Sequence, residues 1–280
     1  MRTTIQDGAL ALLGETVDIL NNNYIEYIIV GGWSPFLLNS SPFPHPGTKD
    51  VDILFKSGTQ KGELKTLIEV FLKGGFVQSA KHPFQLLKVI EINGYQFMFN
   101  IDLLHPDDQA KNPEMFVDHI DFPVKESHSM LIDYSGKTII LPKSDFFFDG
   151  FYTKFSYEFE LTSGEKKTIE FNLLDEAGLI LSKTKSAFNE KRTRDAYDIF
   201  LAIQQSRNYD TTIGQLQNIS KEHKEIFSAI EGMNTPNKLR ILNSNIYEWF
   251  CKVDVDESDR NSYEAFYKFF SSLNIPRGTD

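Results

Sequence analysis

Apolar positions at helical spacing mark residues 8–22 (GALALLGETVDILNN) as an amphipathic helix. The next segment, YIEYIIV (24–30), is aromatic and β-branched and runs into Gly31-Gly32, which predicts a strand closed by a tight turn. A helix-compatible stretch and a Ser/Pro-rich loop, NSSPFPHPGTK (39–49), separate it from a second apolar strand, VDILF (51–55). KGELKTLIEVFLKGG (61–75) reads as a helix stopped by glycine. FVQSA (76–80), QLLKVIEI (85–92) and YQFMFNIDLL (95–104) read as strands, the last two joined through the hairpin dipeptide Asn93-Gly94. Residues 105–150 are less regular, with strands predicted near 115–124 and 137–141. FYTKFSYEFEL and KKTIEFNL then flank a turn at Ser163-Gly164.

From residue 173 the period changes. LLDEAGLILSKTKSAF, RTRDAYDIFLAIQQ, IGQLQNISKEHKEIFSAI, NKLRILNSNIYEWF and SYEAFYKFFSSL all carry helical spacing. The order predicts an α+β fold: a mixed sheet flanked by helices over residues 1–170, followed by a helical region over 171–280. No internal repeat or low-complexity tract interrupts it.

Composition narrows the classes. Of 280 residues, 41% are hydrophobic and 24 are Phe, enough for a packed core. The net charge of −10 argues against a protein that coats nucleic acid over a broad footprint, although a local basic stretch lies near residue 190. The single cysteine, Cys251, cannot form an internal disulfide, and the six histidines (His45, His82, His105, His119, His128, His223) show no metal-site spacing. The N-terminus, with acidic residues and a polar break, makes a poor signal peptide, and no window reaches the roughly 20 apolar residues of a bilayer span. The expectation is a cytoplasmic protein with no membrane partner.

The chemistry concentrates in IIVGGWSPFLLNSSPFPHPGTKDVDILF. Gly31 and Gly32 permit positive φ and close ligand approach. The helix start that follows offers backbone N–H groups to phosphate, and Ser34 can add a hydroxyl donor. Asp50 and Asp52 are two apart on a strand and so share a face. Paired carboxylates suit a hard cation such as Mg²⁺, which takes oxygen ligands. Asp102, inside the apolar strand NIDLL, supplies a third carboxylate, with which two metals could be held about 4 Å apart for displacement at phosphorus. The alternatives for Asp102 are a strand-end cap or an ion pair. Asp254 and Asp256 (DVDESD) repeat the spacing without the upstream Gly-Gly strand, and that pair reads as a solvated acidic loop.

The Gly31-Gly32-x-Ser34 and Asp50-x-Asp52 pair of motifs resembles the polymerase-beta-type nucleotidyltransferase superfamily. Within it, LSKTKSAFNEKRTRDAYDIF (181–200) is similar to the helical motif of the AbiEii/AbiGii toxin branch, with Lys183 on its lysine and Arg194, Asp195 and Asp198 on its Arg-Asp-x-x-Asp. The resemblance spans roughly residues 24–200. It implies a nucleotidyltransferase-type sheet completed by the helical region, and transfer of a nucleoside monophosphate from an NTP to an acceptor. The metal ligands would be Asp50, Asp52 and Asp102, with two Mg²⁺ ions or Mn²⁺ in their place. Gly31, Gly32 and Ser34 would hold phosphates, Lys183 and Arg194 would neutralise the triphosphate, and Asp195 and Asp198 would orient them. Lys185, Lys191 and Arg192 read as a solvated or RNA-facing patch. The branch implies a toxin–antitoxin or phage-defence setting, an antitoxin partner and a tRNA acceptor, with a protein hydroxyl as second choice. Two alternatives stand beside it: a small-molecule, aminoglycoside-type nucleotidyltransferase, and a non-catalytic interaction module on the same fold.

Overall fold

The computed structural model describes residues 2–106, 114–117, 136–141, 143–204 and 208–279. It divides the chain into two compact units. The first comprises residues 1–31 and 48–173, and the second residues 32–47 and 174–280. The boundary expected at 170 thus falls at 173. Residues 32–47, expected in the N-terminal domain, belong to the helical unit.

The first unit is built on one mixed sheet. Its strands are β1 (Tyr27–Val30), β2 (Val51–Phe55), β3 (Val77–Gln78), β4 (Gln85–Ile92), β5 (Tyr95–His105), β6 (Glu114–Val117), β7 (Gly136–Ile140), β8 (Tyr152–Glu160) and β9 (Lys166–Leu174). The main path runs β3-β4-β5-β2-β1-β9-β8, with β7 pairing both β5 and β6. At its centre β2 is antiparallel to β1 and parallel to β5, with Asp52 in register with Asp102. All four residues of β1 are buried, as an apolar run in a sheet covered on both faces should be.

Helix α1 (Ile5–Asn22) begins three residues before its apolar pattern does. The Thr4 side chain accepts the Asp7 N–H and Asp7 returns the bond to the Thr4 backbone, a reciprocal cap. Leu12, Leu13, Val17 and Leu20 make its buried face. A second helix of this unit runs over Lys61–Lys73 and stops at Gly74, Gly75 being left-handed (φ +85°). The strand expected at 24–30 starts only at Tyr27, because Tyr24 turns left-handed at φ +55°. Of the strand expected near 115–124, residues 115–117 fall in β6, and 118–124 lie outside the described residues.

The second unit is helical. In chain order, α2 spans Trp33–Leu38, with α3 the Lys61–Lys73 helix already placed in the first unit. The rest are α4 (Glu176–Lys183), α5 (Thr193–Ile203), α6 (Tyr209–Glu222), α7 (Lys224–Glu231), α8 (Pro236–Lys252) and α9 (Tyr263–Ser272). The single helical stretch read over 213–230 is broken at His223 (φ −134°, ψ 63°) into α6 and α7. The core centres on α5, buried from Asp195 to Ile203. Phe43 packs its ring 5.1 Å from Phe200 and 5.6 Å from Phe250, themselves 5.1 Å apart. That aromatic anchor is why residues 32–47 join the helical unit. Among the described residues no helix is long and apolar enough to cross a membrane.

Candidate active site

The carboxylate motif lies in the first unit. β1 ends at Val30, opposite Asp52 of β2, and Gly31 takes the turn at φ +75°. A Cβ on Gly31 would stand 2.0 Å from Asp52 Oδ2, far inside contact distance. Glycine is therefore required twice over, by the left-handed backbone and by the carboxylate seated against it. Asp50 precedes β2 by one residue, and its Oδ1 accepts a hydrogen bond from Thr48 Oγ1 at 3.1 Å.

Asp102 sits beside Asp52 on the neighbouring parallel strand. Both of its donors reach Oδ1: Gln85 Nε2 at 2.8 Å and Asn100 Nδ2 at 3.0 Å. Burial raises its pKa above the ordinary carboxylate value, the two amides pull it down, and the Asp50 charge raises it further. The set is hard oxygen throughout, and Asp50 and Asp102 are coupled by charge. Oxygen donors of this type are those Mg²⁺ takes, and a divalent cation would relieve that coupling.

The expected three-carboxylate chelate is nonetheless not closed in this structure. Among the described residues, no three His, Cys, Asp or Glu side chains gather closely enough to hold an ion. Like charges repel, and Thr48, Gln85 and Asn100 draw two of the carboxylates toward local donors.

The remaining motif residues belong to the second unit, and several differ from expectation. Gly32 caps α2 with ordinary right-handed angles (φ −75°, ψ −12°), so it needs no positive φ. α2 is only six residues long, and Ser34 is fully buried with its hydroxyl donating to the Leu174 carbonyl at 2.6 Å. A hydroxyl has one proton, so that bond replaces the donation to phosphate expected of Ser34.

Lys183, the last residue of α4, is likewise enclosed, with 7% of its surface exposed. Its Nζ donates to Asp195 Oδ1 at 2.9 Å and to Asp198 Oδ2, both on α5. Asp195 and Asp198 thus stand where the helical spacing puts orienting carboxylates. Lys183 does not present its ammonium to solvent as a triphosphate contact requires, because two buried acids claim it. Burial alone would lower its pKa, but Asp198 and Asp195 hold it above the usual lysine value. Burial would raise Asp198, yet Lys183, His45 and Arg194 hold it far below the carboxylate range.

Arg194, partly exposed, places Nε 3.6 Å from Asp198 and donates Nη1 to the Gly47 carbonyl at 3.3 Å. Arg192 donates Nε to Asp195 at 2.8 Å. Lys185, Lys191 and Arg192 are exposed, as a solvated patch should be. The loop pair Asp254 and Asp256 is also exposed, with Asp254 left-handed at φ +58°.

One member of this network escaped the sequence reading. The Gly47 N–H donates to His45 Nδ1 at 3.0 Å, which puts the imidazole proton on Nε2, 3.2 Å from Asp198 Oδ1. Burial keeps His45 below its ordinary pKa, against the upward pull of Asp198. More than 150 residues separate His45 from Asp198, and no spacing rule joins them. The only local signal was an apolar, proline-rich loop that also carries Phe43.

No family model matches the chain, and no curated protein matches it. Among solved structures, one titled an antigenic nucleotidyltransferase-like protein from Paracoccidioides brasiliensis is similar to this chain at 15% identity and a TM-score of 0.35. That similarity covers 82% of this chain and 94% of the other. At that identity and score it fixes neither activity nor substrate.

Proposed function

We propose that this chain is a metal-dependent nucleotidyltransferase acting through Asp50, Asp52 and Asp102. One observation carries the reading: Asp52 and Asp102 are in register on adjacent parallel strands, with Asp52 seated against the left-handed Gly31 turn and Asp50 two residues before it. Carboxylates so placed at the head of a sheet suit phosphoryl chemistry, where most of the rate comes from positioning and charge neutralisation.

Bound Mg²⁺ supplies neutralisation of phosphate charge and Lewis acidity at the reacting oxygens. The chain's own residues do the rest. Asp50 and Asp52 would hold the cation, whose charge would offset that of the NTP polyphosphate. Asp102, whose pKa is raised, is the group suited to take the proton of the acceptor hydroxyl. The hydroxyl oxygen forms a bond to the α-phosphorus, the bond to the β-phosphate bridge breaks, and pyrophosphate leaves. The acceptor rests on the motif resemblance alone, which favours a tRNA end in a toxin setting. The acidic net charge of −10 favours a cationic acceptor such as an aminoglycoside, which is the second reading.

The test is incubation with each α-labelled NTP, Mg²⁺ and, separately, total tRNA, protein lysate and an aminoglycoside. The expected result is label on one acceptor class, reduced at least about 100-fold in Asp52→Asn and Asp102→Asn. Equal labelling by wild type and both variants would sink the proposal. Label on the aminoglycoside would keep the chemistry and replace the acceptor.

A further inference from the structure

A second site lies in the helical unit, far along the chain from Asp50, Asp52 and Asp102. The α8–α9 region and the segment after α9 enclose a groove of about 580 Å³, within the range of small-ligand sites. Its apolar floor is formed by Phe266, Phe270 and Ile275, all buried. Its rim carries Arg240 from α8, Arg277 from the terminal segment, and Tyr263 and Tyr267 one turn apart on α9. The tyrosines are 56% and 78% exposed, so the groove is open along that side.

The wall that presents Arg277 is built in. Asn234, 7% exposed, donates Nδ2 to the Ile275 and Pro276 carbonyls at 3.1 and 3.0 Å, and its own carbonyl accepts the Gly278 N–H at 2.8 Å. Three bonds from one side chain and its backbone thus bracket Arg277 on both sides. Arg240 is braced by Asn237 Oδ1 at 3.2 Å.

The charge of the lining identifies the occupant. The chain has a net charge of −10, yet among the described residues the groove is lined by two arginines and no carboxylate. An anion is therefore called for, and the aromatic rim calls for flat faces. Arginine forks match phosphate geometry, and exposed tyrosines are stacking platforms for bases. We infer that this groove binds a single-stranded nucleic-acid segment, with bases on Tyr263 and Tyr267 and backbone phosphates on Arg240 and Arg277. The open side and the placement of the arginines on two different segments suit a passing strand better than an enclosed mononucleotide.

The experiment measures binding of a fluorescent single-stranded oligoribonucleotide of about eight nucleotides, within single-strand site sizes, to the full chain by anisotropy over a salt series without NTP. Wild type should bind with a salt-dependent affinity. Arg240→Gln/Arg277→Gln should weaken binding about tenfold or more at low salt and reduce the log–log salt slope by about 1.4, two phosphates' worth on a single strand. Tyr267→Ala should weaken binding about tenfold with the slope unchanged. All three side chains are exposed, so unchanged melting midpoints are expected to confirm folding. Absence of wild-type binding, an unaltered slope in the double variant, or displacement of the RNA by an acidic peptide at lower concentration than by unlabelled RNA would each overturn the inference. Because the readout is binding without NTP, failure of the transfer reading leaves this test intact.

Discussion

Asp198 is a buried acid and Asp102 a half-buried one, and their surroundings drive them in opposite directions. Asp198 in α5 receives Lys183, with Arg194 and His45 close by, and its pKa falls. Asp102 in β5 is raised first by burial and then by the Asp50 charge, and the two neutral amides that donate to it offset this only in part. The first arrangement is closed: its charges are met within the protein, and removing one partner leaves another stranded. The second is poised: partial burial and the Asp50 charge leave its own charge unmatched by any cationic side chain that donates to it, and protonation or a cation from outside would relieve it. In this chain, then, a carboxylate that supports the fold and one that serves a ligand differ in what faces them and not in residue type or depth alone.

The sharpest way to break this comparison is to cut each site once. Asp198→Asn leaves buried Lys183 with Asp195 as its one remaining acid and takes the acid from Arg194, and should cost about 3–5 kcal/mol, read as a lowered denaturant midpoint. A loss below about 1 kcal/mol would show that the network is not structural. Asp102→Asn should do the reverse. Its amide oxygen can still accept from Gln85 and Asn100, so stability should hold within about 1 kcal/mol while nucleotide transfer falls at least about 100-fold. Comparable loss of stability in both variants would erase the distinction.

The two glycines sharpen it further. Gly31→Ala meets a left-handed φ and the Asp52 carboxylate at 2.0 Å, and should cost about 1–3 kcal/mol together with most of the activity. Gly32→Ala, at φ −75°, needs no change of backbone and should cost less than about 1 kcal/mol. Equal melting shifts would contradict the geometry.

The smallest effect is in pH. Asp198, depressed in the folded state, contributes stability that is present above the unfolded carboxylate value of about 3.9 and lost as pH falls through its lower folded value. Asp175, which caps α4 through the Gly178 N–H, is raised by burial to about 6. A raised acid has the opposite sign: between pH 6 and 4 the folded chain binds more protons than the unfolded one, so stability rises as pH falls. Asp102 acts in the same direction. Stability by denaturant titration should therefore hold or rise from pH 7 to about 5 and drop steeply below about 4. A steady decline from pH 7 would refute the assignment.

Much of the fold was legible because short-range periodicity carries it. Burial of all of β1, the Asn93-Gly94 hairpin and the change to helical spacing after 173 are properties of neighbouring residues, and local patterns report them. The start of β1 at Tyr27 and the break at His223 were not legible, since each depends on backbone angles that many residues can adopt. The Gly31–Asp52 contact was half legible: motif spacing proposed it, but only the antiparallel register of β1 and β2 brings the carboxylate onto the glycine.

By itself the sequence determined which residues could do chemistry and the periodicity that sorts them onto strands and helices, because both are written in side-chain type and spacing. The tertiary structure alone decided which charges meet. It drew residues 32–47 into the helical unit through Phe43, enclosed Lys183 between Asp195 and Asp198, and turned the Ser34 hydroxyl to the Leu174 carbonyl. It also set Arg240 and Arg277 on one aromatic groove. These are encounters between residues many turns apart, and the energy of a charge or a hydroxyl is set by what stands within a few ångströms of it, which linear order does not specify.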